Sequence, residues 1–253
     1  PQHLITFHPQ GGASSSDYFH NDEWLDFNLF QSGHGAPDFP NYEMAIADYE
    51  KTPIKPVLDG EPRYENIPIG FKIKNGRHLD FSVRKAAYFS LLSGSCGHTY
   101  GNNNIWQMWV PGRGAAIKAR TPWYNAIHHP GATQMGYARK LLESRSFHLL
   151  QRAQNILAYP KNYQNIRVAL NPTKTALIYI PEGQAVKINT EGLSMEKIRA
   201  WWFDPREGTA EKIKDYEISE NEILDFIPPS QGIFNDWVLV LDNAAAGYEA
   251  PGN

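Results

Sequence analysis

A change of pattern near residue 160 constrains this chain more than any other feature. Before it, short apolar runs alternate with helix-like stretches; beyond it, the runs are strand-like and turn-bounded, with no long helix. Alternation of the first kind calls for a parallel sheet with crossover helices, and a succession of strands calls for antiparallel layers. Two domains are therefore expected, residues 1–160 and 161–253. With 253 residues, 42% of them hydrophobic, the chain can build a core of ordinary size.

In the first part, strands are expected at Leu4 to Phe7, Asp26 to Phe30, Pro56 to Leu58 and around Cys96 to Tyr100. Helices are expected between them. Tyr42, Ile46 and Tyr49 recur at i, i+4 and i+7; Val83, Ala87 and Leu91 do the same after a cap at Asp80 or Ser82 and stop at Gly94. A third helix runs from about Thr133 to Glu143, with Met135, Ala138 and Leu142 on one face. A closed (β/α)8 barrel needs eight strand-plus-helix units, so four describe half of one, with two sheet edges that demand pairing. The second part offers seven short strands: Ile166 to Leu170, Ala176 to Ile180, Ala185 to Ile188, Lys197 to Phe203, Ala210 to Ile213, Ile223 to Phe226 and Trp237 to Leu241. That spacing predicts an antiparallel β-sandwich. Asp204-Pro205-Arg206-Glu207-Gly208 is its best local signal, because Pro presets φ for a turn and Gly takes the left-handed position that follows.

The stretch from Lys55 to Glu65, K-P-V-L-D-G-E-P-R-Y-E, delivers carboxylates from a short apolar run straight into a polar turn. Parallel α/β barrels carry their chemistry at the carboxyl ends of strands, which is where Glu61 stands. The four strand ends would bring together His8 and Gln10; Gln31, Ser32 and His34; Asp59, Glu61, Arg63, Tyr64 and Glu65; and His98, Tyr100, Asn102 and Trp106. Glycoside hydrolysis usually needs two carboxyl groups across the scissile bond, about 5 to 5.5 Å apart for retention of configuration. Glu61 is the first candidate. Asp59 and Glu65 lie too close to it in sequence to reach the opposite side of a sugar ring, and Asp17 lies well past its strand end.

Other chemistries find less support. No metal motif is present, so no metal and no cofactor is expected. Cys96, the single cysteine, excludes an intrachain disulfide and reads as a small buried residue rather than a nucleophile paired with His98. His128-His129, just before Pro130, reads as a loop or helix end. A formal net charge of -3 argues against a nucleic-acid or anionic-membrane partner, and no apolar run is long enough to span a bilayer. Seven Trp, thirteen Tyr and twelve Phe supply flat rings with polar edges, which suit sugars as well as cores. The chain starts at Pro1 without a Met, almost inside an expected strand, and reads as cut at the front; no signal peptide is visible.

Five segments carry a resemblance: F-H-P-Q-G-G-A-S-S-S at 7–16, W-L-D-F-N-L-F-Q-S-G-H at 24–34, the 55–65 stretch, G-H-T-Y-G at 97–101 and W-F-D-P-R-E-G at 202–208. With them the chain resembles the bacterial apiosidase-like TIM-barrel glycosidases related to glycoside hydrolase family 140, which often carry a carboxyl-terminal module named for collagen binding. The resemblance implies that the four units are strands five to eight of a (β/α)8 barrel, followed by a β-sandwich. It implies a retaining, clan A-like glycosidase of complex polysaccharide side chains, with Glu61 as nucleophile. It implies that His8, His34, Tyr64, Glu65, His98, Tyr100 and Trp106 bind the sugar. The general acid, an Asp before the F-H-P segment in that family, would lie upstream of Pro1, so this chain alone is expected to be inactive. An oligosaccharide or polysaccharide is the implied partner, the missing half-barrel a possible second chain, and the periplasm or the exterior the implied location. The competing expectation is a non-catalytic protein that binds carbohydrate or collagen.

Overall fold

The computed structural model describes residues 3–219 and 222–253. The chain divides into two compact units between Met135 and Gly136, within a single helix.

The first unit contains α1 (Ser16–Phe19), β1 (Asn28–Phe30), α2 (Asn41–Tyr49), β2 (Val57–Asp59), α3 (Asp80–Leu91), β3 (Gly97–His98) and α4 (Trp123–Ala126); α5 (Pro130–Glu143) begins in it. The three strands form a parallel sheet in the order β1-β2-β3, with Asn28 opposite Val57, Phe30 opposite Asp59, and Asp59 opposite His98. Parallel strands need a crossover between neighbours, and α2 and α3 are those crossovers. The expected strand at Leu4 to Phe7 does not form. That segment runs beside Asp26 and Phe27, but the Asp26 carboxylate takes the Ile5 N–H at 2.6 Å and the Thr6 hydroxyl donates to Phe27 O at 2.7 Å. Side chains there replace part of the backbone ladder that a strand requires.

The buried stripe of α2 also differs from the expected one. Asn41, Ala45 and Asp48 face inward, whereas Tyr42 and Ile46 are half-buried and Tyr49 is exposed. Asn41 donates to Asp59 and to Ala86 O, and Asp48 accepts from the hydroxyls of Ser14 and Ser16. A buried polar residue is stable only when bonded, and these partners come from other elements, out of reach of a hydrophobic period. α3 is buried nearly all round, from Val83 to Ser90. Its Arg84 reaches Asp80 and Gln134, both at 2.7 Å, and its Lys85 reaches Asp38 at 2.8 Å.

The second unit follows α5 with β4 (Gln151–Arg152), β5 (Arg167–Asn171), β6 (Thr175–Ile180), β7 (Val186–Asn189), β8 (Lys197–Asp204), β9 (Thr209–Glu217), β10 (Ile223–Phe226) and β11 (Trp237–Asn243). One antiparallel sheet runs β4-β5-β6-β11-β8-β9, and β10 pairs with β7 in a second. Ile178, Trp202 and Leu239 from the larger sheet share one core with Ile188 and Phe226 from the smaller. β6 is buried at every position, whereas β9, at the sheet edge, has both exposed and half-buried positions and carries the exposed Glu211, Lys212, Lys214 and Glu217, charges that discourage pairing with another chain. The Asp204–Gly208 turn forms as expected: Gly208 N–H donates to Asp204 O at 2.8 Å with φ at +69°. Trp202 lies in the core, whereas Trp201 is half-buried with its indole N–H enclosed.

Candidate active site

Glu61 stands two residues beyond the end of β2, at the carboxyl edge of the parallel sheet. Backbone bonds set it there: Gly60 N–H donates to Phe30 O at 2.9 Å, and Gly33 N–H donates to Glu61 O at 2.9 Å. A side chain at position 60 would be driven into Leu29, since a Cβ there would lie 2.6 Å from its Cδ2. The Glu61 side chain is 23% exposed, with His8 Nε2 3.3 Å from Oε2 and His34 Nε2 3.0 Å from Oε1. His8 is 48% exposed and His34 only 5%. The Tyr64 ring lies 4.7 Å from the His34 ring, centroid to centroid, and Gly101 lets it do so, because a Cβ at 101 would fall 2.1 Å from the tyrosine ring. Burial and the neighbouring Glu61 charge push the Tyr64 phenol upward, so it is a neutral donor.

Beneath Glu61, Asp59 is fully buried. Ser32 Oγ donates to it at 2.9 and 3.1 Å and Asn41 Nδ2 at 3.1 Å. Burial outweighs those bonds and raises its pKa to about 7. His98 lies beside it, its Nδ1 3.9 Å from Asp59 Oδ2, which is too long for a hydrogen bond. The His98 side chain is 4% exposed, and burial, with the Arg63 charge adding to it, lowers its pKa to about 3. The structure thus places the His98 side chain inside the sheet's end. The cause is its register partner: at the last position of β3 it faces Asp59, not the opening.

Glu65 is enclosed as well. Its Oε2 accepts from Tyr100 Oη at 2.6 Å, its Oε1 accepts from Gly131 N–H at 3.3 Å, and the residue is buried. Burial raises its pKa despite those bonds. It therefore staples the loop after β2 to the loop after β3 and to the start of α5. Asn102 extends the staple, donating to Tyr100 Oη at 3.3 Å and meeting His129 Nδ1 at 2.9 Å. Trp106 is 51% exposed while its indole N–H donates to Asn103 Oδ1 at 3.3 Å, so one edge is fixed and its ring reaches solvent. Asn66, Phe71, Met108, Ile117 and Lys118 all take positive φ in these same loops. Strained backbone of this kind persists where tertiary contacts over-determine it, commonly around functional sites.

His8, His34, Tyr64 and Glu61 are thus brought together, Tyr100 and Trp106 stand on the neighbouring loop, and Glu65 and His98 lie beneath the surface. Sequence reasoning missed Asn41, His78 and Gly131, and read His129 only as part of a loop or helix end. Only Asn41 left a signal, a polar residue at a helical stripe position. Among the described residues no group of three or more His, Cys, Asp or Glu side chains could hold a metal ion.

The model of the "Apiosidase-like, catalytic domain" family matches residues 1–148, and that of the "Putative collagen-binding domain of a collagenase" family matches residues 153–242. One solved structure, described as a glycoside hydrolase, is 33% identical with a TM-score of 0.91; 98% of this chain aligns with 59% of that one. Another, a glycoside hydrolase family 5 protein from Bacteroides vulgatus ATCC 8482, also shows 33% identity and a TM-score of 0.91, with 98% of this chain aligned to 56% of that one. The chain thus spans less than two thirds of the length of these two structures. No curated protein matches it.

Proposed function

The chain belongs to the apiosidase-like family, and from that premise we propose that it supplies the nucleophile half of a retaining glycoside hydrolase site. In this reading β1, β2 and β3 are strands six, seven and eight of a (β/α)8 barrel, the segment around Leu4 to Phe7 stands in the place of strand five, and the second unit is a β-sandwich. One observation carries the proposal: a partly exposed carboxylate, just past the end of a parallel strand, hydrogen-bonded to His34 at one oxygen and with the His8 imidazole 3.3 Å from the other. Such a group attacks the anomeric carbon and forms a glycosyl-enzyme that water then hydrolyses.

The second carboxyl group comes from elsewhere in the full-length protein. Asp59 is buried under Ser32 and Asn41, and Glu65 is occupied by Tyr100 and Gly131, so neither can protonate a leaving oxygen across a sugar from Glu61. His8, Tyr64, Tyr100 and Trp106 are left to bind the sugar's hydroxyls and faces, and the substrate is a side chain of a complex polysaccharide met outside the cytoplasm. The 253-residue chain by itself should not turn over.

The test is covalent trapping. Full-length protein incubated with a panel of activated 2-deoxy-2-fluoro glycosides should gain the mass of one sugar, and peptide mapping should place it on Glu61. Glu61→Gln should abolish both labelling and turnover while leaving thermal stability close to the parent. A label on another residue, or near-normal hydrolysis by the variant, sinks the assignment.

A further inference from the structure

Both nitrogens of the His34 ring are already engaged by the chain itself. Its Nδ1 lies 3.3 Å from the backbone N–H of Tyr64, and its Nε2 lies 3.0 Å from Glu61 Oε1. An amide N–H can only donate, so Nδ1 must offer a lone pair. In a neutral imidazole the proton then sits on Nε2 and is donated to Glu61. The ring has little room to turn. It is 5% exposed, flanked by Tyr64 at 4.7 Å and by Phe71 edge-on at 5.9 Å, and its own carbonyl is pinned by Gly70 N–H at 2.8 Å and by His78 Nε2 at 3.3 Å.

The other carboxylate oxygen is held differently. His8, on Oε2, sits at 3.3 Å on a side chain that is 48% exposed, in a segment outside the sheet. Oε1 has a buried hydrogen-bond partner, whereas Oε2 has only a nearby imidazole on an exposed side chain. We propose that His34 is a positioning residue locked as its Nε2–H tautomer, which anchors Glu61 through Oε1 and leaves Oε2 as the attacking oxygen once His8 gives way to substrate.

This rests on the reading of Glu61 as nucleophile. As Oε2 forms its bond to the anomeric carbon, the bond from that carbon to the leaving oxygen breaks. The electron pair stays on the leaving oxygen, which takes its proton from the general acid elsewhere in the full-length protein. A neutral donor suits this step, since an imidazolium would form an ion pair with the nucleophile and hold its charge back. Burial works in that direction, lowering the His34 pKa against the opposing pull of Glu61. The titratable groups around His34 are Glu61, His8 beyond the carboxylate, Tyr64, and His78, which burial lowers to about 4, with Arg63 near it. Tyr64, pushed upward by burial, and His78 are both neutral at pH 7.

Nitrogen-15 spectra of histidine-labelled full-length protein test the lock without any substrate. At pH 8 His34 should show a bare Nδ1 and a protonated Nε2, and it should titrate below the ordinary histidine value. A proton on Nδ1, or titration near the ordinary value of about 6.5, overturns the proposal. Kinetics give a second test. His34→Ala should cut kcat by roughly 10²-fold, the scale for losing one donor at a reacting centre, with KM little changed. A raised KM with kcat intact identifies a sugar contact and overturns it. If the variant fails to fold, the spectrum of the parent still decides. An active Glu61→Gln protein sinks the nucleophile reading, and with it the attacking-oxygen assignment; a wrong His34 tautomer in a protein that Glu61→Gln does inactivate sinks only the lock.

Discussion

At the residue scale, Asp59 is the most exposed to test because its environment works against its charge. Its carboxyl ordinarily titrates near 3.8 and here near 7, raised by burial. The folded form therefore holds a proton that the unfolded form has lost between those two values. Stability contributed at this site is intact below about pH 3.8, falls as pH rises, and levels off above about 7. Between pH 5 and pH 8 the loss is roughly 2–3 kcal/mol. Asp59→Asn, which keeps the shape and carries no charge, should be free of that loss, so urea midpoints of parent and variant should move apart as pH rises. Parallel curves would mean that Asp59 is solvated enough to ionise at little cost. Glu65 makes a related prediction. Tyr100→Phe removes the hydroxyl at 2.6 Å from its Oε2 and leaves a buried acceptor half-satisfied. We expect a loss of about 1–3 kcal/mol by chemical denaturation.

At the element scale, close approaches rather than propensities set the site. Gly101→Ala puts a methyl 2.1 Å from the Tyr64 ring, so the ring has to shift. Overpacking of that sort costs about 1–3 kcal/mol, and here it would also shift Tyr64 away from His34. The variant should therefore show a lower melting temperature together with a changed His34 imidazole signal. Gly60→Ala, against Leu29 at 2.6 Å, should also lower stability but leave that signal close to the parent's. α2 illustrates why the apolar period misplaced a face. Tyr42, Ile46 and Tyr49 do recur with helical spacing, but bonded Asn41 and Asp48 hold the inner stripe and turn the larger side chains outward. The hairpin at Asp204–Gly208 was legible for the opposite reason, since a proline and a left-handed glycine act within a few residues of themselves.

At the scale of the whole molecule, the second unit is held by a buried ion pair that no local pattern announces. Arg145 lies just beyond α5 and Asp242 on β11, and they meet through two bonds of 2.8 and 2.9 Å, with Thr175 donating to Asp242 at 2.7 Å and the Tyr248 ring 4.7 Å from the guanidinium. Burial still pushes the Asp242 carboxyl above its usual value, so the pair offsets a desolvation cost rather than adding much of its own. Removing one partner is the severe change. Arg145→Ala should lower the stability of this unit by about 3–5 kcal/mol in calorimetry of the intact chain, whereas a paired replacement, Arg145→Met with Asp242→Leu, should lose much less.

The sequence by itself determined the order of elements, the parallel and antiparallel halves, all seven of the strands expected beyond residue 160, and the standing of Glu61 just past a strand end, because each of these is written in neighbouring residues. Tertiary structure decided what no window could hold. It left the run from Leu4 to Phe7 outside the sheet, buried Asn41 and Asp48, shut His98 in beside Asp59, closed Glu65 off with Tyr100 and Gly131, and gave the two oxygens of Glu61 unequal partners. Each of those outcomes depends on bonds and close contacts between residues far apart along the chain, and their strength comes from burial, which exists only once the chain has folded.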